Sequence, residues 1–262
     1  MIKMLLVSIL LCNVIVFASA NNPFEKRAPF KEATIKYKLL GSSKGTSILY
    51  IKEYGKYLCE HEQTKMSMFG FEKEENKLTI STPDWVYTID LNSKTGSKVT
   101  NFEKYMQQEY AKLTPSEQKT VRRNARKMGA DFSQNMGGDV KFNAAMIHGY
   151  SCDKTTVMGM TSYTIHNTAI VLKMDGSVLG VKVKKEATSI DKGTVDSSHF
   201  DIPQNVKITY DATADSMMKE HAARMMQMLL HPEEAPSLLP TQNKSSEMPQ
   251  QEDVQKLLKS LF

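Results

Sequence analysis

The stretch that most constrains the fold is a pair of apolar runs near the middle of the chain. Residues 169–174 and 178–183 flank the dipeptide Asp175-Gly176. An Asp-Gly pair supplies the positive φ angles of a two-residue β-hairpin turn. Because side chains alternate across a strand, Ile170 and Leu172 fall on one face of the first run. The sequence therefore predicts antiparallel strands with one apolar face and one wet face.

Similar strand signals continue on both sides of this pair. Between residues 34 and 100 they are separated only by short turns, which predicts an antiparallel meander that includes the 85–100 region. Apolar residues at helical spacing predict a helical insertion over 102–128, ending at Gly129. Its second helix opens with Thr114-Pro115-Ser116-Glu117, a capping box with proline at the first helical position. A further helix is predicted over 214–230.

The first twenty residues have the pattern of an export signal. Lys3 precedes an apolar run, and Ala18-Ser19-Ala20 fits the small-residue cleavage site, so we expect cleavage after Ala20. The run is too short to span a bilayer, and no later stretch predicts a transmembrane segment. Leu11 stands before Cys12, where lipidation requires a small residue. We therefore expect a mature chain that carries no lipid, is soluble and is exported to the periplasm.

The other end of the chain changes composition. Residues 231–250 are rich in proline and polar residues, which predicts a linker rather than a folded segment. Residues 251–262 follow as a short amphipathic helix, which is marginal in isolation and has to dock somewhere. Its few lysines are balanced by acidic residues, so docking on a protein partner is favoured over docking on a membrane.

Composition and motifs exclude several function classes. The formal charge of +5 is mild, and the lysines alternate with glutamates, so nucleic acid is not expected as a partner. The six histidines form no metal-binding pair, and no nucleophile-elbow motif occurs. The sequence contains no recognisable catalytic constellation. We therefore expect a protein that is not an enzyme and that needs no cofactor.

Two cysteines, Cys59 and Cys152, remain after the export signal. In an oxidising compartment an even pair of cysteines is first interpreted as a disulfide. The alternative is two buried free thiols, because sequence does not show whether the two Cβ atoms meet.

Methionine is used well above its ordinary frequency, with 17 in the chain. Met217, His221, Met225 and Met228 share one face of the predicted 214–230 helix. Thioether and imidazole groups suit Cu(I), which makes Met217, His221 and Met225 an alternative soft-metal site. Methionine also fills adaptable apolar grooves and irregular cores, so a flexible lid and an ordinary core stay open as interpretations.

Three stretches together resemble the LolA/LolB/LppX-like exported proteins. They are residues 35–57, residues 85–100, and the block from Gly149-Tyr150-Ser151-Cys152 to residue 187 with its closing 200–208 segment. The resemblance implies an α+β fold over residues 21–230, with a curved antiparallel sheet, the open half-barrel, and helices packed on its concave side. No cargo-gating residue of those carriers has a counterpart in this sequence.

These observations lead to one expected function and two alternatives. The expected function is a periplasmic binding or carrier protein for a lipid or another hydrophobic ligand. Its apolar groove would be lined by residues from the sheet and from the Met-rich helix: Trp85, Tyr87, Ile170, Leu172, Met217, Met225 and Met228. A groove filled completely by the helices is the competing interpretation. The alternatives are an interaction protein that docks through residues 251–262 and the soft-metal binder.

Overall fold

The computed structural model describes residue 24 and residues 28–68, 71–135, 138–157, 159–178 and 181–234. The predicted export signal and the helix over 251–262 lie outside these residues, as does most of the predicted linker. Among the described residues, no helix combines the length and the apolar character that crossing a membrane requires.

Within the described residues, twelve strands and three α-helices form a mixed α+β fold. The helices are α1 (Phe102–Ala111), α2 (Pro115–Asn135) and α3 (Ala212–Leu230). The strands of the first half are β1 (Ala33–Leu40), β2 (Ser43–Lys52), β3 (Tyr57–Met68), β4 (Phe71–Ser81), β5 (Trp85–Asp90) and β6 (Thr95–Thr100). Those of the second half are β7 (Asp139–Ile147), β8 (Tyr150–Val157), β9 (Met160–Ile165), β10 (Val171–Val178), β11 (Val181–Asp191) and β12 (Lys207–Tyr210).

All twelve strands belong to one curved, unclosed sheet. Its order is β12-β6-β5-β4-β3-β2-β1-β11-β10-β9-β8-β7, so two meanders meet where β1 pairs with β11. Every neighbouring pair is antiparallel except β12 and β6, which are parallel. The predicted antiparallel meander is confirmed, and the 85–100 region forms β5 and β6 as expected.

The sheet buries one face around β1 and the opposite face around β4. In β1, Ile35 is fully buried, and with Leu49 of β2 and Glu60 of β3 it defines what we call the Ile35 face. In β4 the buried residue is Ile80, and it shares what we call the Cys59 face with Cys59 of β3. Because the buried face changes between β1 and β4, the sheet needs separate cover on each face.

Two chain segments provide this cover, and the helices form a third apolar cluster of their own. Ala28 and Phe30, in the segment before β1, join the apolar cluster of the Ile35 face together with residues of β8 to β10. The Cys59 face is covered by Phe200 and Val206, from the segment that precedes β12. The third cluster is helical: α1, α2 and α3 pack mainly against one another, with Met106, Val121, Ala222, Met226 and Leu229 among its buried residues.

The helices contact the sheet near both ends of its strand order. α3 contacts β6, and α2 contacts β7 and β8. At the β6 end the carboxylate of Asp215, in the first turn of α3, accepts hydrogen bonds from the backbone N–H of Thr100 at 2.6 Å and from the hydroxyl of Tyr210 at 2.7 Å. It also accepts one from the hydroxyl of Tyr105 in α1. This carboxylate therefore ties two helices to the end of the sheet.

Local signals at the helix ends are confirmed, with one correction. The backbone N–H of Thr114 donates to Glu117 Oε2 at 2.8 Å, and the N–H of Glu117 donates back to Thr114 Oγ1 at 3.4 Å. This is the predicted capping box. However, α2 continues through Gly129 to Asn135. One glycine inside a helix costs only about 1 kcal/mol, which the rest of a helix this long offsets.

The predicted hairpin turn at Asp175-Gly176 is wrong. Both residues lie inside β10, where Asp175 pairs with Lys184 and Gly176 with Val183, and the pairing of β10 with β11 extends to Val178 and Val181. Gly176 serves a different purpose, because a Cβ there would lie 2.3 Å from the carbonyl oxygen of Gly159 and 2.8 Å from Met160 Cα. The glycine permits a close approach between β9 and β10 rather than a turn.

The predicted disulfide is also corrected by the structure. Cys59 and Cys152 are both free and buried. They lie on β3 and β8, which are separated by five other strands, and in different apolar clusters. Six strand spacings of about 4.8 Å lie between them along the sheet, whereas a disulfide requires Cα atoms within about 7 Å.

Candidate functional site

An open cleft of about 390 Å³ lies between the second-half strands. It is lined by residues of three neighbouring strands, β9, β10 and β11, and of the edge strand β7. Its lining residues are Ala145, Ile147, Tyr163, Leu172, Lys173, Glu186 and Ala187. The cleft therefore brings together residues from four strands, all of them within residues 145–187 of the chain.

The turn between β7 and β8 shapes one side of this cleft. His148 and Gly149 both have positive φ angles, of 49° and 80°. The ring of His148 then reaches the carbonyl oxygen of Ala187, with Nε2 at 2.8 Å. Since β8 and β11 are separated by two strands in the sheet, this contact holds the turn across them. It explains how Ile147 comes to line the same cleft as Ala187.

The cleft has two kinds of wall. Ile147, Tyr163, Leu172 and Ala187 all belong to, or pack against, the apolar cluster of the Ile35 face. Lys173 and Glu186 instead form an ion pair across β10 and β11, with Nζ and Oε1 at 3.3 Å. The lining of the cleft thus combines apolar surface with a pair of charged side chains.

The ion pair is extended by a second lysine. Lys184 Nζ lies 3.6 Å from the same oxygen of Glu186 and 4.0 Å from the carboxylate of Asp175. Burial alone would raise the pKa of Glu186, but the hydrogen bond from Lys173 and the charge of Lys184 outweigh it and hold the pKa below its usual value. Glu186 is therefore ionised at neutral pH, with two ammonium groups around it.

The groove that the sequence predicted is not formed as one surface. Leu172 lines the cleft, and Ile170 is buried in the same cluster. Tyr87 packs on the Cys59 face, and Trp85 lies beside Tyr210, with ring centroids 6.2 Å apart. The physical reason is the change of buried face along the sheet, which places β5 and β10 side chains in different clusters.

The Met-rich face of α3 lies away from the cleft. Met217 is 45% exposed, Met225 packs against the helical cluster, and Met228 is half-buried on the same helix. His221 is exposed beside Phe102, with ring centroids 5.6 Å apart. Of the residues proposed for a soft metal, Met217 and His221 are exposed on α3, whereas Met225 packs against the helical cluster. Copper binding stays a prediction. Among the described residues, no group of three or more His, Cys, Asp or Glu side chains has metal-binding geometry.

Other histidines make contacts that stabilise the fold. The ring of His199 stacks on Tyr50 with centroids 3.7 Å apart, which fixes the segment that covers the Cys59 face. His166 is held by both carboxylate oxygens of Asp153, at 2.8 and 3.0 Å. Asp153 also accepts the backbone N–H of Asn143, where β7 is irregular.

Sequence reasoning missed most of the cleft. Ile147, Tyr163 and Ala187 carry no motif, and only the fold brings them together. The one available signal was the alternation of charged residues along β11, which places Lys184 and Glu186 on a common face. That signal does not identify their partner Lys173 without the register of β10 and β11.

Comparisons with known proteins assign no family to this chain. Its sequence matches no protein-family description and no curated protein. An uncharacterised conserved protein from Thermus thermophilus is similar in structure, with a TM-score of 0.40 and 7% identity over 70% of this chain and 92% of that one. PNGF-II is similar with a TM-score of 0.31 and 15% identity, over 73% of this chain and 33% of that one. Neither similarity is high enough to carry an argument about function.

Proposed function

We propose that this protein binds an amphipathic small molecule, such as a fatty acid, in the cleft between β7, β9, β10 and β11. The apolar part of the ligand lies against Ile147, Tyr163 and Leu172. The polar end lies toward the ion pair of Lys173 and Glu186. In this proposal the protein is an exported carrier or binding protein, as the expected signal peptide suggests.

The observation that carries the proposal is the mixed lining of the cleft, which is apolar apart from one ion pair. Its volume of about 390 Å³ falls within the range of about 300–1,000 Å³ that is typical of small-molecule sites. Such sites combine apolar walls with a small number of polar groups that fix the orientation of the ligand. Ile147 and Leu172 supply the first requirement, and Lys173 supplies the second.

The half-barrel interpretation of the sheet belongs to the same proposal. An unclosed, curved sheet leaves apolar surface that other segments have to cover. Here the segment around Phe30 covers part of the Ile35 face, and the cleft lies beside the cluster that it completes. A LolA-like carrier would use the remaining uncovered part for its ligand.

The proposal is tested by filling the cleft. Ala145→Trp places a large side chain among the lining residues, so we expect it to weaken fatty-acid binding at least tenfold. Ala144→Trp is the matched control, because Ala144 is the adjacent exposed residue and does not line the cleft. The measurement is displacement of a fluorescent naphthylamine probe by palmitate, together with native mass spectrometry of the purified mature chain. Equal affinity in both variants, or no palmitate binding by the unmodified protein, would overturn the proposal.

A further inference from the structure

A second polar cluster lies on the Ile35 face, and one of its members, Lys185, is the chain neighbour of Glu186 in the cleft. Glu60 of β3 accepts a hydrogen bond from the hydroxyl of Ser47 at 2.6 Å and forms an ion pair with Lys185 of β11. The ammonium of Lys185 lies 4.3 Å from the ring centroid of Tyr37. The charges of Glu60 and Lys185 are therefore paired with each other.

Glu62 lies two residues further along the same face of β3 and is in a different situation. It stands directly opposite Lys77 of β4 in the sheet register, yet the two side chains form no ion pair within 4 Å. In the part of the chain that the structure describes, neither side chain has a hydrogen-bond or ion-pair partner. The carboxylate of Glu62 and the ammonium of Lys77 thus lie on directly opposed residues without forming an ion pair within 4 Å.

The charges around Glu62 leave its carboxylate poorly compensated. Burial raises its pKa, and the negative charge of Glu60 raises it further, with a smaller contribution from Glu75. The ammonium groups of Lys185 and Lys77 lower it, but not enough to cancel these effects. A cation placed against Glu62 would therefore relieve an unfavourable environment.

A ligand with a single charge does not fit this arrangement. A simple cation at Glu62 would also lie near the ammonium of Lys77, and a simple anion at Lys77 would lie near the carboxylates of Glu62 and its neighbours. Like charges in such positions oppose binding. A group that carries both an ammonium and an anion satisfies both side chains at once.

We propose that Glu62 and Lys77 bind a zwitterionic group, with its ammonium on Glu62 and its anion on Lys77. Directly opposed residues in an antiparallel pair have Cβ atoms about 4.5–5.5 Å apart, which suits charges separated by a short spacer. Phosphoethanolamine has this form, with a short ethyl spacer between its phosphate and its ammonium. The group could reach the site as a free compound or as the head of a lipid, and the site does not depend on ligand binding in the cleft.

The test uses the full mature chain and O-phosphoethanolamine, titrated by calorimetry. Glu62→Gln and Lys77→Met are each expected to weaken binding at least tenfold. Glu74→Gln is the matched control, because Glu74 is exposed and pairs with Lys65 on the opposite face of the sheet, and it is expected to change the affinity less than twofold. A double variant, Glu62→Lys with Lys77→Glu, restores the charge pair and should recover binding that either single exchange loses.

Two further ligands and one vesicle experiment decide between explanations. Inorganic phosphate and ethanolamine, each alone, should bind more weakly than O-phosphoethanolamine, and equal binding of either would overturn the zwitterion site. Co-sedimentation with phosphatidylethanolamine vesicles but not with phosphatidylglycerol vesicles would assign the group to a lipid. Binding of the free compound without the vesicles would assign it to a soluble metabolite. No binding in either form would refute the proposal, whatever the outcome for palmitate in the cleft.

Discussion

The carboxylate of Asp215 offers the sharpest test of how the helices are attached to the sheet. The residue is only 5% exposed and accepts three hydrogen bonds, from Thr100, Tyr105 and Tyr210. The change Asp215→Ala removes the acceptor and leaves all three donors in place. Tyr210 is 51% exposed, so its hydroxyl can turn to water, whereas the other two donors lose their partner at a half-buried site.

The expected loss follows from these two donors. A hydrogen bond to a charged group contributes about 1.5–3 kcal/mol, and such contributions are not fully additive. We therefore expect the free energy of unfolding to fall by about 3 kcal/mol in Asp215→Ala, with a smaller loss in Asp215→Asn, which keeps one acceptor oxygen. In a domain of about two hundred residues, 3 kcal/mol corresponds to a decrease in Tm of roughly 6–12 °C.

The assay is equilibrium unfolding in urea, followed by fluorescence and by circular dichroism. The single tryptophan, Trp85, packs against Tyr210 and therefore reports on this corner of the molecule. The control is Asp211→Ala, which removes the exposed N-cap of α3 and is expected to cost only about 1 kcal/mol. If Asp215→Ala costs no more than this control, the carboxylate does not hold the helices to the sheet.

Three more predictions follow from single groups. Burial acts to raise the pKa of Asp215, but hydrogen bonds from Tyr105 and Tyr210 outweigh it and hold the pKa at about 2, below its usual 3.8. The contribution of the ionised carboxylate to the free energy of unfolding is therefore present above pH 3.8 and is lost as the pH falls toward 2. The difference in unfolding free energy between the unmodified protein and Asp215→Asn, measured by urea unfolding, should decrease between pH 3.8 and pH 2. Gly176→Ala should cost about 1–3 kcal/mol through overpacking, whereas Gly193→Ala, whose Cβ meets nothing closer than 3.3 Å, should be nearly neutral in the same measurement. Cys59 and Cys152 are free, so a reductant should leave the Tm unchanged, and a decrease in Tm on reduction would contradict the free thiols. Burial raises the pKa of the Cys59 thiol to about 12, so iodoacetamide should not modify this residue in the native protein, as judged by mass spectrometry.

Much of the secondary structure could be predicted because its signals are local. Alternation of apolar and polar residues identified β1, β2, β5 and β6, and the capping box at Thr114 marked the start of α2. A charged turn was expected at residues 72–76, but these residues lie inside β4. Each of these signals depends on residues within a few positions of one another. The error at Asp175-Gly176 shows the limit of such reasoning, because the same dipeptide serves a hairpin turn or a close strand contact, and a neighbouring strand decides between them.

The candidate site was predicted only in part, since its members are brought together by strand order. Leu172 was expected on an apolar face and does line the cleft. Trp85 was expected in the same groove, but the sheet buries the opposite face where β5 lies. The pattern of a strand shows that it has one apolar face, but it does not show which other strands share that face.

The sequence by itself determined the kinds of element in this protein and their order: an antiparallel meander, a helical insertion with a capped second helix, and a further helix after the last strand. Those features arise from periodicity and capping, which act over a single turn or a single strand. Only the tertiary structure decided that β1 pairs with β11, that Cys59 and Cys152 lie far apart, and that Glu62 lies directly opposite Lys77 in the sheet. Pairing between strands distant in sequence depends on how the whole sheet shares its apolar cover, and no local pattern records that choice.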